Sequence, residues 1–173
     1  MTNTIYIKKE NNTYYLIYND VKEECYIGKN GLTKDKKEGD LKTPIGEFNL
    51  GIVFGTHEKK EITMDKTLKY IQINKKLYWV DDPNSKYYNQ LVDITKEEKD
   101  WNSAEHLIEH TIPYEYAIEI NSNPQNIPGK GSAIFLHCKN KNYTAGCIAI
   151  SPAKMKELLK SINKDTKIVI KDN

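Results

Sequence analysis

Short runs rich in Tyr, Ile, Val and Thr recur along this chain, each bounded by Gly, Asn, Asp or Pro, and the pattern predicts strands over most of its length. Thr4–Lys8, Thr13–Tyr18 and Glu23–Ile27 read as an opening meander, with Asn11-Asn12 and Asn19-Asp20 as its turns. Asn30-Gly31 carries the hairpin signature of a type I′ turn. Thr43-Pro44-Ile45-Gly46 reads as a turn feeding a strand over Glu47–Val53, and Lys69–Ile73 with Leu77–Val80 as a hairpin across Asn74–Lys76. Asp81–Gln90 has no clear period and is expected to be an ordered loop, and Ser103–His110 one or two turns of helix. Strands return at Tyr116–Ile120 and Ala133–His137 around a Pro/Gly/Asn-rich loop, Asn121–Gly131. One segment has a helical period. Ser151 suits the N-cap and Pro152 the first turn, and Met155, Leu158, Leu159 and Ile162 share one face. Thr166–Ile170 reads as a last strand, and residues 1–173 as one mainly β domain without repeat or linker.

Composition adds few constraints. At 173 residues the chain can bury a core without disulfide staples, and 29% charged residues imply a wet surface. The net charge of +2 comes from 26 basic and 24 acidic residues that form no dense basic stripe, so nucleic acid is not an expected partner. Met1–Lys9 holds no apolar run of signal-peptide length, and nothing later reaches bilayer-spanning length, so the chain as given reads as soluble. Cys25, Cys138 and Cys147 are odd in number and lack a CxxC pair.

The chemistry concentrates between Ala133 and Ile150. Two apolar strands flank a polar loop, His137 ends the first, and Cys147 follows Thr144-Ala145-Gly146 just before the second. An antiparallel hairpin with His137 opposite Cys147 and Phe135 opposite Ala149 is expected to bring imidazole and thiol together at its mouth. The imidazole would serve as base or ion-pair partner for a thiol that is otherwise a poor nucleophile near neutral pH. Gly146 permits a tight turn that aims the amides of Ala145, Gly146 and Cys147 at one point, as an oxyanion requires. Core cysteine with structural histidine, and a zinc site of His137, Cys138 and Cys147, are the competing readings. Three ligands at this spacing match no common structural zinc site, so a metal is not expected.

His137 followed by Thr144-Ala145-Gly146-Cys147 resembles the His…Ser/Thr-x-Gly-Cys signature of the YkuD-type L,D-transpeptidase catalytic domain. Gly39-Asp40-Leu41-Lys42-Thr43-Pro44-Ile45-Gly46-Glu47-Phe48 is similar to that family's upstream segment, and the resemblance runs from about Lys29 to Ile150. It implies a β-sandwich-like fold with one or two short helices and Cys–His catalysis without a cofactor. Cys147 would attack a peptidoglycan stem tetrapeptide, expel D-alanine and pass the acyl group to an amine, and carbapenems would label it. The backbone carbonyl of Cys138 would orient His137, and the site of action would be the cell envelope, outside the cytoplasmic membrane.

Two departures from the family pattern stand out. The loop between His137 and Cys147 is short, and Ala149 replaces the usual Arg or Asn. Tyr87, Tyr88, Asn89 and Trp101 are candidates to line an acyl-donor groove, and Glu105 with His106 to assist an acceptor amine. His57 and His110 have no evident partner. The alternative functions are an L,D-carboxypeptidase, another cysteine peptidase or amidase, and a non-catalytic wall-binding module.

Overall fold

A computed structural model describes residues 3–173, so Met1 and Thr2 of the expected domain lie outside the described residues. In chain order the elements are β1 (Thr4–Glu10), β2 (Thr13–Tyr18), β3 (Val21–Glu24), β4 (Leu32–Thr33), β5 (Thr43–Pro44), β6 (Gly46–Gly55) and β7 (Tyr70–Gln72). There follow β8 (Leu77–Val80), β9 (Leu91–Asp93), β10 (Ala104–His106), β11 (Tyr116–Ile120), β12 (Phe135–Cys138), β13 (Ile148–Ile150), α1 (Pro152–Leu159) and β14 (Lys167–Ile170). The fold is mainly β with one short α-helix.

Nine strands form the principal sheet in the order β13-β12-β11-β6-β14-β1-β2-β3, with β7 added alongside β6. In β1, Ile5 and Ile7 are fully buried while the residues between them are partly exposed, the period-two pattern of a strand with one face inward. Asn11, Asn12 and Asn19 take positive φ at the two tight turns of the meander, a conformation Asn tolerates better than most residues. Beyond β3 the chain leaves this edge. Tyr26 pairs with Ala149 through two amide–carbonyl bonds of 2.9 and 3.0 Å, so the segment that follows β3 borders β13 and the sheet curls back on itself.

α1 packs in the main core with Met155, Leu158 and Leu159 buried among strand residues such as Ile118, Leu136 and Ile148. Burying each such side chain stabilises the fold by about 1.5–3 kcal/mol. Ser151 caps the helix by accepting from the Lys154 amide. A second cluster joins Phe54, Trp79, Tyr114 and Phe135 to Cys147, on the opposite face of β12.

Several expectations need correction. The strands bearing His137 and Cys147 do not form an antiparallel hairpin: β12 and β13 run parallel, with Leu136 beside Ile148, His137 beside Ala149 and Cys138 beside Ile150. The loop 139–147 reverses direction twice because its far end docks on the segment after β3. Thr144 donates to the Ile27 carbonyl and accepts from the Lys29 amide. Asn30-Gly31 makes no hairpin. Gly31 closes a turn back to the Gly28 carbonyl, with Gly31 itself at φ +85°. β7 and β8 do not pair with each other, since β7 joins β6 and β8 sits between β9 and β10 in a separate three-stranded sheet. The expected helix at Ser103–His110 is the strand β10 followed by one 3₁₀ turn over Leu107–His110.

Candidate active site

Parallel pairing alters which residues are neighbours and leaves the faces unchanged. Phe135, His137, Cys147 and Ala149 still share one side of β12 and β13, because alternate residues on adjacent strands point the same way. His137 and Cys147 therefore sit diagonally in the register and line the same cavity, of about 230 Å³, together with Ala149, Tyr114 and Thr144. Ala149 lies beside His137 in the register, not opposite Phe135.

The Cys147 thiol is held by the backbone of the neighbouring strand. Sγ accepts from the Phe135 amide at 3.3 Å and donates to the Ala133 carbonyl at 3.2 Å. Burial pushes its pKa up to about 12, the Glu105 carboxylate adds to this, and the Phe135 amide and Lys36 oppose it. His137 is also buried, and that burial lowers its pKa against the opposing effect of the Cys138 carbonyl. Nδ1 of His137 lies 2.8 Å from the Cys138 carbonyl. A carbonyl only accepts, so Nδ1 carries the proton and Nε2 is the basic nitrogen. The resting pair is thus neutral thiol and neutral imidazole. The Tyr114 ring meets the His137 ring edge-on at 5.7 Å.

A triple anchorage shapes the turn before Cys147. Gly146 sits at φ +142°, and a Cβ there would lie 2.9 Å from the Lys42 carbonyl oxygen, so a larger residue would be both strained and crowded. Thr144 Oγ1 accepts from the Gly146 amide at 3.0 Å and donates to the Cys147 carbonyl at 2.6 Å. The Gly146 amide is therefore occupied, which corrects its expected part in a three-amide oxyanion hole. The amides of Ala145 and Cys147 have no partner among the described residues.

The upstream motif supplies the third anchor, a role its sequence alone did not disclose. Thr43, fully buried, donates from Oγ1 to the Gly146 carbonyl at 2.7 Å and accepts from the Gly28 amide at 2.9 Å. Asp40 folds the preceding loop by accepting from the amides of Lys37 and Lys42, each at 2.9 Å, and by pairing with the Lys36 ammonium. Neither Thr43 nor Asp40 has a strand- or helix-period signature by which spacing would reveal this role.

Other candidate residues are placed elsewhere. Cys138 turns away from His137 into the main core, its Sγ 3.6 Å from the Tyr116 carbonyl, as strand alternation requires. The aromatic segment does not line the cavity. Tyr87 and Trp101 meet edge-on at 5.8 Å in a satellite core with Val80 and Val92. Tyr88 is buried, donating to Glu38 and accepting from the Gly131 amide. Asn89 ties Trp79, Ala133 and Asn126 together through its amide group. These groups are used up supporting the loop before β12, which leaves little of them for a ligand. His57 pairs with Glu115 at 3.1 Å and stacks on Tyr116, while His106 stacks on Tyr78. Among the described residues no three His, Cys, Asp or Glu side chains gather as a metal-ligand set, and no helix is long and apolar enough to cross a membrane.

A cavity shared by a strand-held cysteine and a histidine of fixed tautomer is the arrangement of a cysteine acyl-transfer centre. The family description of the L,D-transpeptidase catalytic domain, YkuD, matches residues 2–170, and the chain belongs to that family. Among solved structures it is similar to an L,D-transpeptidase from Stackebrandtia nassauensis at 12% identity and TM-score 0.42, covering 98% of this chain and 55% of that one. It is also similar to L,D-transpeptidase 1 from Mycobacterium tuberculosis, at 14% identity and TM-score 0.39, covering 96% of this chain and 60% of that one. L,D-transpeptidase 3 from Mycobacterium tuberculosis, solved in complex with a faropenem-derived adduct, aligns at 11% identity and TM-score 0.44, covering 98% and 60%. The chain thus spans little more than half the length of these structures. Comparison with curated proteins gave no significant match.

Proposed function

We propose that this chain is an L,D-transpeptidase that acylates Cys147 with a peptidoglycan stem tetrapeptide and passes the acyl group to an amine. The observation that carries this reading is the cavity shared by Cys147 and His137, with the proton of the imidazole fixed on Nδ1. His137 Nε2 takes the thiol proton as sulfur attacks the carbonyl of the third stem residue. The same proton then goes to the nitrogen of the departing D-alanine, and a thioester remains. General acid–base help of this kind is worth about 10²–10⁴ in rate. The free amides of Ala145 and Cys147 receive the oxyanion, and the loss of one such donor costs about 3–4 kcal/mol of barrier.

Two-substrate transfer is favoured over simple hydrolysis because a second cavity, of about 130 Å³, also opens on Cys147. On this reading the enzyme works in the cell envelope, where crosslinked peptidoglycan lies.

The test is intact-protein mass after incubation with a carbapenem. A single covalent adduct mapping to Cys147, and lost in Cys147→Ser, is the expected result. A folded protein that gains no adduct, or one labelled on Cys25 or Cys138, would overturn the assignment.

A further inference from the structure

Glu105 is the one carboxylate that lines both cavities meeting at Cys147. It is held there by β10, whose pairing places Glu105 beside Trp79. Its Oε2 accepts from the Tyr114 hydroxyl at 2.5 Å, while Oε1 has no hydrogen-bond partner among the described residues. The smaller cavity is walled by Glu38, Asp81 and Glu105, with Lys36 as the facing cation. Lys36 is paired with Asp40, with its ammonium beside the Gly146 turn, and Glu38 is engaged by Tyr88 and Ser132. Asp81 Oδ1, by contrast, is buried and has no hydrogen-bond partner among the described residues. A buried oxygen in that state is costly, and a ligand bearing N–H donors would satisfy it.

We propose that Glu105 binds the acyl acceptor as an ammonium in the smaller cavity and removes the proton that makes it nucleophilic. The inference rests on the acyl-transfer reading above. An ammonium offers three donors, enough for Glu105 Oε1 and Asp81 Oδ1 together. It must lose two protons to become an amide nitrogen. The first goes to the Glu105 carboxylate and from there to solvent. The free amine then attacks the thioester, the C–N bond forms, and the C–S electron pair returns to sulfur. The second proton passes by way of His137 Nε2 to Cys147, restoring the thiol. Burial pushes the Glu105 pKa up to about 7, against the Tyr114 hydrogen bond and with Asp81 and Glu38 adding, so the group can both take and release a proton near neutrality. The titratable groups that share its two cavities are Tyr114, His137, Lys141, Tyr143 and the Cys147 thiol on one side and Asp81, Glu38 and Lys36 on the other.

The experiment separates the two half-reactions in wild type and Glu105→Gln, a swap that keeps the acceptor oxygen for Tyr114. Acylation is followed as carbapenem adduct formation. Transfer is followed from a stem-tetrapeptide donor to two probes, Nα-acetyl-lysine, whose ε-amine is an ammonium at neutral pH, and hydroxylamine, which is already neutral there. The expected result is faster acylation, because a negative charge beside the thiol is gone. Transfer to Nα-acetyl-lysine should fall tenfold or more, with none of that loss toward hydroxylamine. Glu105→Asp should keep much of the discrimination between the probes, and it serves if the Gln variant does not fold. An equal loss toward both amines, or no loss toward Nα-acetyl-lysine, overturns the role of Glu105. Failure of wild type to form any adduct sinks the acyl-transfer reading itself and shows itself separately in the first arm.

Discussion

Replacing Thr43 by Val should damage the site from beneath, although Thr43 is not a candidate to touch substrate. The two side chains are nearly isosteric, so the substitution removes a hydroxyl with little change of shape. Two buried backbone groups then lose their partner, the Gly146 carbonyl at 2.7 Å and the Gly28 amide at 2.9 Å. Each orphaned group costs about 1–3 kcal/mol, and the pair about 2–6 kcal/mol in all. For a chain of this size, at about 2–4 °C per kcal/mol, that corresponds to a fall in Tm of about 4–24 °C. Catalysis should suffer as well, because the Gly146 carbonyl fixes the turn that aims Cys147. A displacement of about 1 Å in a reacting group can cost about a hundredfold in rate. Thermal unfolding followed by circular dichroism gives the first quantity, and the rate of carbapenem adduct formation well below Tm gives the second. Thr43→Ser, which keeps the hydroxyl, should lose little of either. A Val variant within about 0.5 kcal/mol of wild type that also acylates at the wild-type rate would refute the anchoring argument.

Three further predictions concern the pair itself. His137→Ala should slow acylation by about 10²–10⁴ while the far-ultraviolet dichroism spectrum is kept; a wild-type burst in the folded variant would remove His137 from the mechanism. Cys138→Ser should retain the adduct, since its side chain faces the core and its carbonyl holds His137 whatever the residue, whereas Cys147→Ser should lose it; the reverse pattern would relocate the nucleophile. The folded pKa of His137 lies below 6.5, so the native state binds fewer protons than the unfolded chain in between. Its stability contribution is then complete above about 6.5 and is lost as pH falls through the folded value, and His137→Asn should be less acid-sensitive than wild type; parallel stability–pH curves would contradict this.

Local signals were legible wherever a neighbour in sequence is a neighbour in space. The β1–β2–β3 meander, the strand β11 and the capped helix α1 were readable because turns, caps and apolar period act within a few residues. The pairing of β12 with β13 was not, because its direction is set by Tyr26–Gly28, which lies more than a hundred positions upstream and carries no mark of what it will border. The same holds for the β7 partner. At the site, His137, Gly146 and Cys147 stood out by residue type and spacing, and the shared face survived the change of direction because side-chain alternation does not depend on it. Glu105 lies in a segment expected to be helical, where nothing in the sequence separates it from other charged residues. Only the strand β10 and the tertiary approach of Tyr114 turn it toward Cys147. Tyr87, Tyr88, Asn89 and Trp101 read as groove-lining candidates because aromatic and amide groups in a loop suit a ligand. Those same groups pack and bond well with one another, and the fold uses them that way.

The parallel pairing of β1 with β14 bears on how the protein matures. Thr4 to Ile7 find their partners only at Lys167 to Ile170, almost the whole described length away, and β14 is also what joins β1 to β6. Such distant pairings carry a large loop-closure cost and fold slowly. During synthesis the opening meander therefore emerges with one edge unpaired and stays so until residues 167–170 have left the ribosome. The Tyr26 bridge that seats β13 lies at the opposite edge of the meander, beyond β3, so the closing of the sheet on β14 and the docking of the strand after Cys147 are separate events.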